Sequence, residues 1–386
     1  MAVAALDSDA DRAAARGDFE TAATLLAQAC AGDPDDGDRW LKLAAMRRAR
    51  RDFEGALEAV NGALAVDPLG FVPLLVKAGI LDALDRPAEA AEFCGAAIFH
   101  APPDAELPAP LRRQLAFARE KHTAFQAREE ARLAALMAVA AASADAEQAR
   151  RLDRFRSNTL RLTKPYHCAP THFHYPGLIE REFHDRSLFP WLAELEAATA
   201  VIRAEYEALI AAPDARLVPY IQYDEAVPLR QWAALNHSRR WSAAHLLAGG
   251  ARVEANAAHC PETLALLARL PQPAIRGRSP NAMFSLLAPG AHIPPHHGIS
   301  NARLVCHLPL IVPEGCWFRV GAERRTVEEG GAWVFDDTIE HEAANESDAP
   351  RVILIFDVWH PGLSAIERDG AAVLIAEHGP GGDGGL

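Results

Sequence analysis

Hydrophobic and polar positions along this chain follow two different periods. Over the first third, small and apolar residues return every three or four positions, as on one face of a helix, and that pattern itself recurs every 34 residues. Ala22, Ala56 and Ala90 form one such set, Ala29, Ala63 and Ala97 a second, and Pro34, Pro68 and Pro102 a third. Phe19 and Phe53 match within Gly17-Asp18-Phe19-Glu20 and Arg51-Asp52-Phe53-Glu54. Alanine at fixed helical positions lets two helices pack closely. Proline after Asp33 and Asp67 stops each second helix, because it cannot continue the hydrogen-bond ladder. The expectation for residues 1–105 is a solenoid of helical pairs whose first repeat lacks most of its leading helix, with Ala10 in the place of Ala44 and Ala78.

This period and small-residue pattern resemble the tetratricopeptide repeat; a generic Ala-rich bundle is the alternative. Residues 111–156 are charged and Ala-rich with no Gly or Pro. They predict a long helix broken near Ala141 to Asp145, within a helical linker over 106–160. That helix is either a spacer or a solvated helix packed on the repeats.

The pattern then changes. From Lys164-Pro165 onward Pro, His, Trp and Phe become frequent. Ser187 to Leu209 and Cys260 to Leu270 have helical period, with Pro261 at a helix start. After Ala274 come short β-type runs: Asn281 to Ala288, Leu304 to Val312, Cys316 to Val320, Ala332 to Phe335 and Val352 to Trp359. Pro289-Gly290 and Pro313-Glu314-Gly315 supply turns. Several short strands close together predict a sandwich or barrel over 161–370, followed by a tail, 371–386, whose Gly-rich end from Gly379 to Leu386 is expected to be disordered.

Charge and cysteine content narrow the function classes. The net charge of -13 over 386 residues leaves no basic face for nucleic acid. Six scattered cysteines without a CxxC pair are neither a disulfide framework nor a zinc ribbon, and read as mostly buried thiols in a reducing compartment. Met1 to Arg12 has no apolar core of a signal peptide, and no run of apolar residues is long enough to span a bilayer. The expectation is a cytoplasmic protein with no membrane partner.

The candidate chemistry lies near the end of the chain. His296, in Pro295-His296-His297-Gly298, and His341, in Asp336-Asp337-Thr338-Ile339-Glu340-His341-Glu342, are flanked by strand-like runs and read as a pair of metal ligands. Non-heme oxygenases usually add a carboxylate two residues after the first His. Here that position is Gly298, so either water completes the site or a carboxylate comes from elsewhere. His292 and His297 read as neighbours, with His297 the alternative ligand. Arg351 opens the most apolar strand and needs an anion: either an internal ion pair with Asp336 or Asp337, or the distal carboxylate of a dicarboxylic acid, shared with Ser285. Arg303, Val305 and His307 share one strand face, which turns His307 inward.

Residues 285–361 resemble the aspartyl/asparaginyl β-hydroxylase family of iron(II)/2-oxoglutarate dioxygenases. The residues that carry the resemblance are Ser285, Pro289-Gly290, Pro295-His296-x-Gly298, Asn301, Arg303-Leu304, His307-Leu308, Phe335-Asp336-Asp337, Glu340-His341-Glu342, Arg351 and Asp357-Val358-Trp359-His360-Pro361. Weaker matches extend it upstream to about residue 170, through Trp241-Ser242 and Asn256-x-x-x-Cys260-Pro261 among others.

The resemblance implies a multidomain α plus β protein: an N-terminal helical repeat solenoid and a C-terminal double-stranded β-helix, jelly-roll or cupin-like, with flanking helices. It implies iron(II), O2 and the cosubstrate 2-oxoglutarate, with His296 and His341 as iron ligands and catalytic residues. Ser285 and Arg351 would hold the cosubstrate carboxylate, and His307 its other end. One departure is Val305, where family members acting on secreted domains carry Arg; the contact that Arg would make is either lost or supplied by Arg303 or a water. The implied reaction is hydroxylation of a C–H bond, at the β-carbon of Asp or Asn in a peptide or protein, coupled to decarboxylation of 2-oxoglutarate to succinate. The repeats would bind that substrate, a protein partner or a second copy. The competing readings are a repeat-based adaptor with a degenerate barrel and a cupin-like metalloenzyme that does not use 2-oxoglutarate.

Overall fold

The computed structural model of the protein describes residues 3–224 and 228–378. It divides into two compact units, Met1–Leu162 and Thr163–Leu386. The Gly-rich segment 379–386 lies outside the described residues.

The first unit is helical: α1 (Val3–Ala15), α2 (Phe19–Gly32), α3 (Gly37–Ala49), α4 (Phe53–Val66), α5 (Phe71–Ala83), α6 (Pro87–Phe99), α7 (Ala109–Ala140) and α8 (Ala146–Thr159). The repeat-defining alanines Ala22, Ala56, Ala29, Ala63 and Ala97 are fully buried between helices. Asp18 and Asp52, one repeat apart, cap α2 and α4 by accepting from the Thr21 and Gly55 amides. One expectation fails. α1 is a complete helix, in register with α3 and α5, and buries Leu6, Ala10 and Ala13. Its acidic, weakly apolar sequence hid it. Arg39, buried in α3, secures it by binding Asp7 of α1 as well as Asp33 and Asp36. The predicted break at 141–145 is present, with Asp145 forming a capping box at the start of α8. The first half of α7 is not a free spacer: Leu115 and Ala118 are buried, Ala118 against Leu74, Leu75 and Cys94.

The second unit is built on two antiparallel sheets. Its helices are α9 (Leu192–Ala197), α10 (Thr199–Ala211), α11 (Glu254–Ala257), α12 (Pro261–Leu267) and α13 (Ala365–His378). Its strands are β1 (Val218–Pro219), β2 (Trp241–Ala248), β3 (Ala251–Arg252), β4 (Ala282–Leu287), β5 (Ala291–His296), β6 (Arg303–Ile311), β7 (Cys316–Val320), β8 (Glu323–Thr326), β9 (Trp333–Phe335), β10 (His341–Asn345) and β11 (Arg351–Trp359). The larger sheet runs β1-β2-β4-β11-β6-β9, with β3 on β2; the smaller runs β5-β10-β7-β8.

Both faces of the larger sheet are covered, which explains why β11 is buried at every position. One face, with Phe284, Leu304, Leu308, Leu354 and Phe356, packs on Leu195, Ile202, Leu209 and Leu267 of the helices. The alternate positions, including Met283, Val305, Ile353 and Ile355, pack against Ile293, Phe318, Val320 and Ala343 of the smaller sheet. The period of two along a strand therefore decides which residues line the space between the sheets.

The predicted helix over Ser187 to Leu209 is interrupted: α9 and α10 are distinct, separated at Ala198. The start of α12 at Pro261 is as expected. Residues 371–378 are not a tail but the end of α13, whose Ala371 and Ile375 pack with Trp359 and Leu363. No helix among the described residues is long and apolar enough to cross a membrane.

Candidate functional site

Between the sheets lies a cavity of about 790 Å³, lined by Ser285, His296, His307, His341 and Arg351 among others. Each of these arrives from a different strand. β5 and β10 pair so that His296 stands directly opposite His341, with ring centroids 4.0 Å apart. The register of this pair shifts between His341 and Ala343, which face His296 and Ile293. The bulge falls on Pro294-Pro295, whose missing amides a regular ladder could not use, and it turns His296 toward its partner.

The two rings are fixed in the same way. Nδ1 of His296 donates to the Pro294 carbonyl at 2.8 Å, and Nδ1 of His341 donates to the Ile339 carbonyl at 3.1 Å. A carbonyl can only accept, so the proton sits on Nδ1 and the Nε2 lone pair is left free. Burial lowers the basicity of both rings, His296 to about 4 and His341 well below its ordinary value. Both are neutral near pH 7, as metal ligation requires.

Arg351 is fully buried, and burial pulls its guanidinium down to about 10. Its Nε and Nη1 have no hydrogen-bond partner among the described residues. The internal ion pair weighed from the sequence is not formed. Asp336 instead accepts from the Thr338 amide and hydroxyl, and burial raises its carboxyl to about 6. On the neighbouring strand, Ser285 pairs with Ile353, two residues from Arg351, and accepts a hydrogen bond from Trp241 Nε1 at 3.0 Å. A buried cation without an anion is costly unless a ligand supplies one.

His307 is buried with Nδ1 unpartnered, and burial drives its basicity well down. Phe318, Trp333 and Phe335 surround it. Arg303 shares its strand face but is not among the residues lining the cavity; its charge acts on Asp337 and Asp357. His292 pairs with Glu342, and His297 lines the cavity with Nδ1 on the Thr338 carbonyl. Glu340 pairs with Arg319 and Lys164.

Gly298 explains itself in space. A Cβ there would lie 2.1 Å from Asp337 Oδ2. The Asp337 carboxylate occupies the volume into which a side chain at 298 would project. Burial raises it to about 7, and its Oδ1 has no partner among the described residues. No group of three or more His, Cys, Asp or Glu is arranged to hold a metal among the described residues.

The aromatic wall beside His296 escaped the sequence reading. Tyr220 stacks on Trp241 at 3.7 Å, and Trp232 meets the His296 ring edge-on at 5.1 Å. Trp241 drew notice only through the family resemblance; Tyr220 follows the two-residue β1 and Trp232 ends a single 3-10 turn, Arg230–Trp232, and their only signal was aromatic content.

Known proteins bear on this geometry. Residues 196–361 match the family described as Aspartyl/Asparaginyl beta-hydroxylase. The match falls within the second unit. The ornithine lipid ester-linked acyl 2-hydroxylase of Rhizobium tropici is 36% identical over 190 residues, 48% of this chain and 63% of its own. The human aspartate beta-hydroxylase domain-containing protein 2 is 37% identical over 36% of this chain and 38% of its own. The human aspartyl/asparaginyl beta-hydroxylase is 40% identical over 33% of this chain and 17% of its own. The chain thus spans less than two thirds of the length of each of these relatives. Among solved structures, the Sgt2 TPR domain from Aspergillus fumigatus aligns with 31% of this chain and 78% of its own at 22% identity and a TM-score of 0.27.

Proposed function

We propose that this protein is an iron(II)- and 2-oxoglutarate-dependent dioxygenase, built on a double-stranded β-helix, that hydroxylates a C–H bond of a peptide or protein. The observation that carries the reading is the opposed pair His296 and His341, both neutral with Nε2 free, in the cavity that holds the unpartnered guanidinium of Arg351. Two imidazoles suit a first-row metal such as iron and leave further positions for other ligands. The residues therefore fit the metal, and Arg351 fits a dicarboxylate.

Each side chain then has a task. The carbonyls of Pro294 and Ile339 hold the two rings in the ligating tautomer. Arg351 grips the distal carboxylate of the cosubstrate by charge-assisted hydrogen bonds. Ser285 adds a hydroxyl that Trp241 orients. His307 lines the inner cavity, within reach of the opposite end of the same molecule. The apolar lining from Phe318, Phe335 and Ile355 keeps water away from the reacting centre. Iron, when bound, supplies the oxygen activation that no side chain here can provide. In sum, 2-oxoglutarate, O2 and R–H become succinate, CO2 and R–OH.

The relatives differ in what their names say they act on: an acyl chain for one, aspartyl and asparaginyl residues for another. The shared chemistry is C–H hydroxylation. A peptide substrate agrees with the helical repeats, since repeat solenoids present extended binding surfaces.

The test is succinate release from 2-oxoglutarate by the full chain with iron(II), with and without oxygen. The reading expects oxygen- and iron-dependent succinate, slow without substrate. Complete absence of succinate overturns it.

A further inference from the structure

A second cavity lies wholly within the helical unit. It holds about 380 Å³ between α5 and α7, with Arg48 at the end of α3 and Ala90 and Cys94 of α6 completing its wall. The floor is mostly apolar, with Leu75, Val76, Phe117 and Ala118 as its larger members. Phe117 is left 47% exposed there. The polar lining consists of Arg48, Arg113, Gln114, Lys121 and Asp82.

Two of these charges cancel and two do not. Lys121 and Asp82 bind each other at 2.8 Å and join α7 to α5. Arg48 and Arg113 are exposed and have no hydrogen-bond or ion-pair partner among the described residues. Other cations on the same two helices are paired: Lys42 with Asp11, Arg47 with Glu58 and Arg119 with Asp104. In a chain of net charge -13, two uncommitted guanidiniums beside an apolar floor make a local positive site. Gly79 is an independent feature of the same place. It stands inside α5 and lines the groove, and a Cβ on it would meet nothing within 4 Å. Neither packing nor a positive φ calls for glycine here, where alanine would favour the helix. Its effect is to leave the floor bare, so that another chain can approach closely.

We propose that this groove docks an acidic segment of a partner protein, with one apolar side chain seated on Leu75, Val76 and Phe117 and flanking carboxylates meeting Arg48 and Arg113. A guanidinium takes a carboxylate in two parallel hydrogen bonds. Opposite charge also speeds encounter and turns basic segments away. Binding of this kind weakens as salt is added. The groove shares no residue with the cavity of the histidine pair, so the proposal stands or falls apart from the dioxygenase reading.

The experiment titrates the full chain into pools of short fluorescein-labelled peptides and reads anisotropy. Every peptide has a central Leu, Ile or Phe, flanked by Asp and Glu in one pool, by Asn and Gln in another and by Lys and Arg in the last. The acidic pool should bind at least about 10-fold more tightly than the neutral pool, and the basic pool should not bind. Arg48→Gln combined with Arg113→Gln should weaken binding of the acidic pool about 10-fold or more. Gly79→Leu should also remove binding while leaving the unfolding midpoint unchanged or higher, which separates a filled groove from a damaged fold. Equal affinity for the acidic and neutral pools, no saturable binding, or binding that survives these variants overturns the proposal. So does equally tight binding of a thymidine oligonucleotide of the same length, which would mark a general attraction for polyanions.

Discussion

His296 and His341 face each other across the pairing of β5 with β10, and each ring is anchored to the carbonyl two residues before it. Strand register brings the two rings to 4.0 Å between centroids. His296→Ala and His341→Ala should each weaken iron(II) binding about 100-fold or more, because outer hydrogen-bond partners alone are worth 10–100-fold. Both variants should keep the wild-type circular dichroism spectrum, since the fold rests on the sheets' apolar contacts. Titration of iron(II) into each variant checks this; near-native affinity in either would remove that residue from the pair.

Arg351 makes a prediction with two opposite signs. Its guanidinium is buried without an ion pair, so in the absence of cosubstrate it strains the fold rather than supporting it. Arg351→Met, which fills similar space, should leave the unfolding midpoint unchanged or raise it. The same change should raise the 2-oxoglutarate requirement about 100-fold, the worth of a lost charged bidentate contact of roughly 2–3 kcal/mol. A protein destabilised by the substitution, with 2-oxoglutarate dependence intact, would return Arg351 to a structural role.

The candidate residues were more legible in the sequence than the sheets that carry them. His296, His341, Arg351, Ser285 and His307 were legible because their chemistry sits oddly in apolar runs, and all five line one cavity. β6, β7 and β11 were legible as unbroken apolar, β-branched runs. The strands that were missed have local preferences that point elsewhere. β5 contains Pro294-Pro295, tolerated because it is the edge of the smaller sheet. β8, Glu-Arg-Arg-Thr, is the other edge, where charge protects an open ladder. β2 is rich in alanine and leucine and β10, His-Glu-Ala-Ala-Asn, holds alanine and polar residues; both adopt strand form because the sheet around them supplies partners. Arg303 shows the limit of face-counting: it shares the strand face of His307, yet does not line the cavity.

Gly298 and Asp337 form a steric pair. Gly298→Ala puts a methyl group 2.1 Å from Asp337 Oδ2, and should cost about 1–3 kcal/mol. Asp337→Gly should recover most of that loss in the double variant, giving a coupling energy well outside additivity. Urea unfolding of the four proteins in the cycle measures it. Additive effects would mean that the two residues do not share this space in solution.

His184 gives the acid limb of stability a specific source. It is buried against His360 and Phe189, and burial lowers its basicity to about 3. In the unfolded chain its pKa returns to about 6.5. Between these values the unfolded chain binds a proton that the folded protein does not, so stability falls as pH drops below about 6.5. From pH 6.5 to 5 this single group should account for about 2 kcal/mol. His184→Phe should flatten that part of the curve, read from unfolding midpoints at pH 7 and 5. An unchanged slope would assign the acid sensitivity to other groups.

In the proposed function the histidine pair and Arg351 together hold a metal and a keto acid. Anaerobic addition of 2-oxoglutarate to the iron(II)-loaded full chain tests it most directly, read by the visible charge-transfer band of a chelated keto acid. The account predicts a saturable band in the native protein, its loss in the His296→Ala/His341→Ala double variant, and a shift to much higher 2-oxoglutarate concentration in Arg351→Met. Absence of the band in the native protein, or a band of equal strength and affinity in all three, would contradict it.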